Sequence, residues 1–230
     1  MVVANWLHSS LFALPLSLVA FCIGVYFYRR SGTVLLHPIV TASLIVAALL
    51  HTLNVPYSDY QHSSTLLYAL LGPAVVALAV PLKQNLAVIR RAGWPLLVTI
   101  AVGAVLAPVV AIIIALLFGA GESVLLALSG KSVTTPIALA LAEKIHAALS
   151  LTAGIVVLTG VVGALAGPPL LTLLGIRDKR ILGVVLGINA HAVGTARAFE
   201  ISALCGACSA LAMGLCGALT ALVLPLIISS

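Results

Sequence analysis

The chain has 230 residues, of which 63% are hydrophobic and only 7% charged, with a mean hydropathy of +1.29. A soluble domain carries roughly 25% charged residues, so a soluble enzyme or nucleic-acid module is excluded and an integral membrane protein is left. The net charge of +6 comes from cations in short loops beside apolar segments, which is the positive-inside pattern and not a nucleic-acid surface.

The apolar runs are continuous and rich in Leu, Ala, Val and Ile. A membrane β-strand would alternate apolar and polar residues, so the expected fold is all-α. At about 20 residues per crossing, the length allows six to eight spans and no separate soluble domain, which makes residues 1–230 a single polytopic membrane domain.

The first span is expected at about 5–28, closed by Arg29 and Arg30. It lacks a basic leader, is longer than a signal core and ends in a stop-transfer-like flank, so no cleavable signal is expected. The second is expected at about 33–54, followed by a polar loop at 55–62 whose tyrosines suit an aromatic belt. The third is expected at about 64–82, with Gly72-Pro73 and Pro81 inside it, and Lys83, Arg90 and Arg91 mark the next loop. The fourth is expected at about 95–118 and ends in the Gly119-Ala120-Gly121-Glu122 turn.

Residues 123–143 are long enough to cross once, but their centre is Ser129-Gly130-Lys131-Ser132-Val133-Thr134-Thr135-Pro136. Gly, Pro and hydroxyl clusters break helices. Residues 147–174 form a clean span, closed by Arg177, Asp178, Lys179 and Arg180. With Arg29 and Arg30 inside, a crossing at 123–143 puts the 177–180 cations outside, against the charge rule; a re-entrant hairpin puts them inside. Residues 182–202 repeat the theme around Asn189-Ala190-His191-Ala192-Val193-Gly194-Thr195-Ala196-Arg197. A second hairpin entering from the opposite face makes an inverted repeat; a single crossing instead puts the C-terminus inside. The last span is expected at about 203–228. The expected architecture is therefore about six transmembrane helices plus two broken, re-entrant hairpins.

Lipid offers no hydrogen-bond partners, so polar interruptions persist at that depth only when buried in protein or lining a cavity. The breaks at 129–136 and 189–197 are accordingly the expected substrate site. Pro136 suits the first turn of a half-helix and Thr134 or Thr135 its cap. Such an N-terminus, with Lys131 beside it, attracts anions. In the second break Arg197 offers a fork for a carboxylate, His191 titrates near neutrality, and Gly194 permits a sharp bend. The bland alternatives are a snorkelling Lys131, a core His191, and an Arg197 that only pairs with Glu200, three residues on. The candidate substrate-binding set is Lys131, Ser132, Thr134, Thr135, Asn189, His191, Gly194, Thr195 and Arg197, with Glu200 as a coupling or structural partner. Cys22, Cys205, Cys208 and Cys216 fall in apolar segments, where free thiols behave as small hydrophobes. No nucleophile triad, P-loop or metal-ligand spacing is present, so no enzyme, cofactor or metal is expected.

The segments Lys131-Ser-Val-Thr-Thr-Pro-Ile-Ala138 and His191-Ala-Val-Gly-Thr-Ala-Arg197 resemble the LrgB/CidB family, and Pro73-Ala-Val-Val-Ala-Leu-Ala-Val-Pro-Leu82 resembles a third block of it. The likeness runs from about residue 16 to the C-terminus. It implies one of two functions: a holin- or antiholin-like modulator of murein hydrolase release and autolysis, or a carrier like the plant plastidial glycolate/glycerate translocator. It also implies a multi-pass protein of the bacterial inner membrane. Arg197 resembles the bacterial pattern. The plant relatives carry an LrgA-related N-terminal part that this chain lacks, so a separate LrgA/CidA-like small membrane partner is expected.

A small 2-hydroxy or 2-oxo monocarboxylate needs cations and N–H donors for its carboxylate and hydroxyls for its other oxygen. The two breaks supply both. The favoured expectation is a secondary transporter of glycolate, glycerate, pyruvate or lactate, elevator-like and homodimeric, coupled to protons or sodium. The holin-like alternative needs only helix association through small residues such as Gly154, Gly160, Gly163, Gly167, Gly206, Gly214 and Gly217.

Overall fold

The computed structural model describes residues 12–31, 36–77 and 79–228. Among these residues there are eleven helices and no strand. They belong to two compact units, Met1–Ala77 and Leu78–Ser230.

The first unit holds α1 (Ala13–Ser31), α2 (Pro38–Thr52), α3 (Tyr57–Ser63) and α4 (Thr65–Ala77). α1 lies close on α2 because Gly24 leaves room for the Pro38 carbonyl, which a methyl there would meet at 2.9 Å. Ser17 Oγ and Tyr60 Oη, 2.8 Å apart, tie α1 to α3. The polar loop expected at 55–62 is largely helical: Pro56 stands at the N-cap of α3 and Asp59 in its first turn, a favourable place for a negative charge. The expected second span shrinks to the 15 residues of α2, capped by His37, whose Nδ1 accepts the Ile39 N–H at 3.4 Å. Residues 1–11, within which the first expected span begins, and 32–35, at the start of the second, lie outside the described residues.

The second unit holds α5 (Ala79–Gln84), α6 (Leu86–Leu117), α7 (Glu122–Ser129), α8 (Thr135–Lys144), α9 (Leu149–Leu173), α10 (Lys179–Ile201) and α11 (Ala203–Ile228). The expected third span is helical over α4 and α5, with residue 78 outside the described residues. The cationic stretch expected as a loop at 83–91 is mostly helical and joins the fourth span. α6 kinks at Gly93, whose φ of 60° and ψ of −151° suit a residue without a side chain. Pro95 follows and cannot donate to the preceding turn.

α11 is the centre of this unit. Ile100 and Ala104 of α6 and Val184 and Ile188 of α10 close on Ala207, Cys208, Ala212 and Cys216 of α11. In lipid, helices associate through close packing more than through apolar burial. Gly183 and Gly187 supply it here, lying directly against the Cys205 and Ser209 carbonyls. Cys205, Cys208 and Cys216 are buried as expected, whereas Cys22 is exposed.

Asp178 caps α10. Its Oδ1 accepts the Arg180 N–H at 2.8 Å, and the Arg180 guanidinium lies 2.5 Å from Oδ2. These bonds hold its carboxyl below the usual value, at about 2. A depressed folded-state value stabilises the fold above the unfolded pKa of about 4 and loses that stabilisation as pH falls toward 2. Asp178→Ala is therefore expected to lower the melting temperature in detergent at pH 7, with the difference closing between pH 4 and 2. A difference that ignores pH would refute this role for the carboxylate.

Among the described residues, five helical stretches are long and apolar enough, by residue count and composition, to cross a membrane: Ala13–Ser31, Ile89–Leu117, Leu149–Leu173, Lys179–Ile201 and Ala203–Ile228. The protein is multi-pass and all-helical across its described residues.

Candidate functional site

Both polar interruptions are chain reversals between short helices. In the first, α7 and α8 flank residues 130–134. Gly130 lies against Ala138, and Leu126 packs on the cluster of Ala142, Ile145 and Ala147. In the second, α10 is interrupted at His191, with φ of 39° and ψ of −123°. On a straight helix Gly194 would stand about 12 Å along from Leu186. Instead it abuts the Leu186 carbonyl, with the Ala190 Cβ 2.6 Å from where its own would stand. Ala198 clusters with Leu182 and Leu186. The second arm of α10 returns along the first.

α11 serves as a ruler for both reversals. The arms at 179–201 lie on its first half: Phe199 against Gly206, Gly187 against Ser209 and Ala212, and Thr195 against Ser209 and Met213. The first reversal lies on its second half. The Cys216 thiol is 3.8 Å from the Ser132 carbonyl, Ile137 meets Gly217, and Ile228 joins the Ala142–Ile145–Ala147 cluster. The tips therefore approach from opposite ends of α11 and meet near its midpoint. A 26-residue helix is about 39 Å long, so that point is roughly 20 Å from either end.

At this point a cleft of about 550 Å³ opens, lined by Lys131, by Ile188 and Asn189, and by Thr99, Gly103 and Ala107 of α6. The Lys131 ammonium donates to Ser132 Oγ at 3.2 Å. Among the described residues no carboxylate pairs with it. The four acids of this unit, Glu122, Glu143, Asp178 and Glu200, all sit near the outer ends of their helices. Asn189 Nδ2 donates to the Val185 carbonyl at 3.1 Å, which leaves its Oδ1 and second N–H for the cleft.

The other expected site residues lie elsewhere. Ser132 is buried beneath Lys131. Thr134 is the N-cap of α8 by backbone geometry, but its side chain makes no capping bond; Pro136 falls in the first turn. Thr135 opens the helix. The cap expected of these hydroxyls is thus absent, and the first-turn N–H groups keep their donor capacity. His191 is 2% exposed and its Nε2 is 3.0 Å from the Val156 carbonyl. Thr195 is buried, donating to the His191 carbonyl at 2.8 Å and bonded to Ser209 at 2.9 Å. Arg197 pairs with Glu200 at 2.5 Å and does not line the cleft. Of the expected set, the structure brings Lys131 and Asn189 together there.

Two contributors escaped the sequence reading. The α6 wall was legible in principle as small residues at a four-residue spacing, Thr99, Gly103, Ala107 and Ala111. Ser209, fully buried opposite Thr195, carried no local signal in an otherwise apolar helix.

The small residues offered for helix association are mostly used inside the unit. Gly160 faces the His191 ring, Gly163 faces Ala190, Gly167 faces Leu186, Gly206 faces Phe199 and Gly217 faces Ile137. Gly154 and Gly214 have open space beside them.

The model of the LrgB-like family matches residues 17–230. Among curated proteins, the chain is 33% identical to "Uncharacterized protein YwbG" of Bacillus subtilis over 202 residues, 88% of this chain and 90% of that protein. It is 33% identical to "Uncharacterized protein YxaC" of the same organism over 213 residues, 93% of each. It is 27% identical to "Antiholin-like protein LrgB" of Bacillus mycoides over 216 residues, 94% of each. No solved structure matches significantly.

Proposed function

This chain belongs to the LrgB-like family, and on that premise we propose that it is a secondary transporter of small monocarboxylates in the bacterial inner membrane, and not an enzyme. The observation that carries this reading is Lys131: a cation without a carboxylate partner among the described residues, at a cleft about halfway along α11. A cation at that depth is costly unless it serves a pathway. A carboxylate takes the Lys131 ammonium, while the Asn189 amide meets a hydroxyl or keto oxygen. Glycolate, glycerate, pyruvate and lactate fit this chemistry.

In this reading the two reversals are re-entrant hairpins that carry the anion past a scaffold of the remaining spans, in a homodimer with an elevator-like motion. Their arms support it. α7 and α8 have 8 and 10 residues, and each arm of α10 is about half of 23. None reaches across a hydrocarbon layer of about 30 Å. Cysteines placed at Arg177 and Ser202 in a cysteine-free background are expected to label from the same side of the membrane. Labelling from opposite sides would make α10 a crossing and end the hairpin topology.

The name of the antiholin-like relatives supports a second reading: a modulator of murein hydrolase release, acting with an LrgA/CidA-like partner. The inward-facing glycines leave it less surface for self-association. Uptake of the four labelled acids into proteoliposomes separates the two. Saturable uptake that Lys131→Ala abolishes supports the carrier. Leakage of a neutral dye without acid uptake supports the holin-like reading.

A further inference from the structure

The buried imidazole of His191 has no part in the cleft lining, yet it is held with unusual precision. It sits at a reversal whose backbone φ of 39° is strained for a residue with a side chain. A methyl on Gly160 would lie 2.7 Å from ring Cε1, so α9 is hollowed where the ring lies. Nε2 is 3.0 Å from the Val156 carbonyl. A carbonyl oxygen only accepts, so Nε2 must carry the hydrogen, and the tautomer follows: in the neutral ring Nδ1 is a bare lone pair. That nitrogen is buried and has no hydrogen-bond partner.

We propose that His191 Nδ1 is the proton-binding site that couples anion movement to a proton, making the protein a one-to-one acid symporter; this rests on the carrier reading above. The charges around the ring set the coupling. α9 contributes no titratable side chain. α11 contributes only cysteine thiols, of which Cys216 lies beside Ser132. The cations of α6, Arg90 and Arg91, are exposed at its far end. Within α10 the next charges are Arg197 and Glu200, already paired with each other, and Lys179 and Arg180 at its start. From the first reversal comes Lys131, which lines the same cleft as Asn189, two residues before His191.

With the cleft empty, a proton on Nδ1 adds a second positive charge to the tip that carries Lys131, which like-charge repulsion disfavours. A carboxylate beside Lys131 cancels that repulsion. Anion and proton then each raise the other's affinity by the same factor, as linkage requires. The proton enters from the side that supplies the anion, resides on Nδ1, and leaves with the anion on the other side. The pair crosses without net charge, so the tip carries the same single positive charge, that of Lys131, loaded and empty.

The test uses wild-type protein and His191→Gln in proteoliposomes with labelled pyruvate. The Gln amide retains an N–H for Val156 and does not titrate. Counterflow without a pH gradient reads the carrier itself. Accumulation driven by an acidic exterior reads the coupling. Wild type is expected to concentrate the acid about tenfold per unit of pH difference, and whatever exchange His191→Gln retains is expected to be insensitive to that gradient. Accumulation by His191→Gln equal to wild type overturns the proposal, as does normal wild-type counterflow without accumulation. Absence of wild-type counterflow overturns the carrier reading and this inference with it. Should the variant not fold, calorimetry of pyruvate binding to wild type in buffers of different ionisation enthalpy decides instead. Uptake of about one proton per anion supports the assignment, and none overturns it.

Discussion

Lys131→Ala is expected to lower saturable uptake of the transported acid by about ten- to a hundredfold while leaving the fold intact. A hydrogen bond to a charged group contributes about 1.5–3 kcal/mol, which corresponds to that range of fold-change. The loss is readable as function because Lys131 does little for the fold. It is partly exposed, among the described residues its side chain bonds to the adjacent Ser132, and removing an unneutralised cation relieves desolvation. The melting temperature in detergent should therefore stay within a degree or two of wild type, since about 1 kcal/mol moves a chain of this size by roughly 2–4 °C. Lys131→Arg keeps the charge in a bulkier, planar form and should fall between. Uptake by Lys131→Ala at the wild-type rate would remove the cation from the site and leave the antiholin-like name of the relatives as the better guide to function.

Gly187→Ala should have the opposite profile: a damaged fold, with function lost as a consequence. A methyl at Gly187 runs into the Ser209 carbonyl and comes within 2.9 Å of the Ala212 Cβ. Both belong to the central helix, and a backbone carbonyl cannot swing away as a flexible side-chain end does. Forcing α10 off α11 costs about 1–3 kcal/mol and moves apart the two elements that set the height of His191 and Asn189. The expected signature is a melting temperature several degrees lower, together with slower uptake. Gly214→Ala is the matched control, since a methyl there meets nothing within 4 Å, and it should be silent. If both variants melt alike, close approach at Gly187 is not what seats the second reversal. These two glycines are indistinguishable in sequence, each in an apolar helix beside a Leu; only the neighbouring element separates them.

The same division runs through the whole molecule. Sequence alone determined the solvent this protein folds in, its helical class and the position of both interruptions. The reason is that lipid cannot satisfy a polar backbone, so Ser-Gly-Lys-Ser and Asn-Ala-His-Ala inside apolar runs had to mark places where protein replaces lipid. Sequence also read one short apolar stretch as a longer span, because hydropathy measures composition and not where the helix stops; α2 shows the difference. What only the tertiary structure decided is the use of each polar residue. Lys131 and Asn189 line the cleft, while His191 and Thr195 turn inward to Val156 and Ser209, and Arg197 turns to Glu200. That choice depends on the rotation of each short helix and on partners far along the chain, 35 residues away for Val156 and 84 between Ser132 and Cys216. Local pattern holds no information about such pairings; the close packing of α9, α10 and α11 through glycine imposes them.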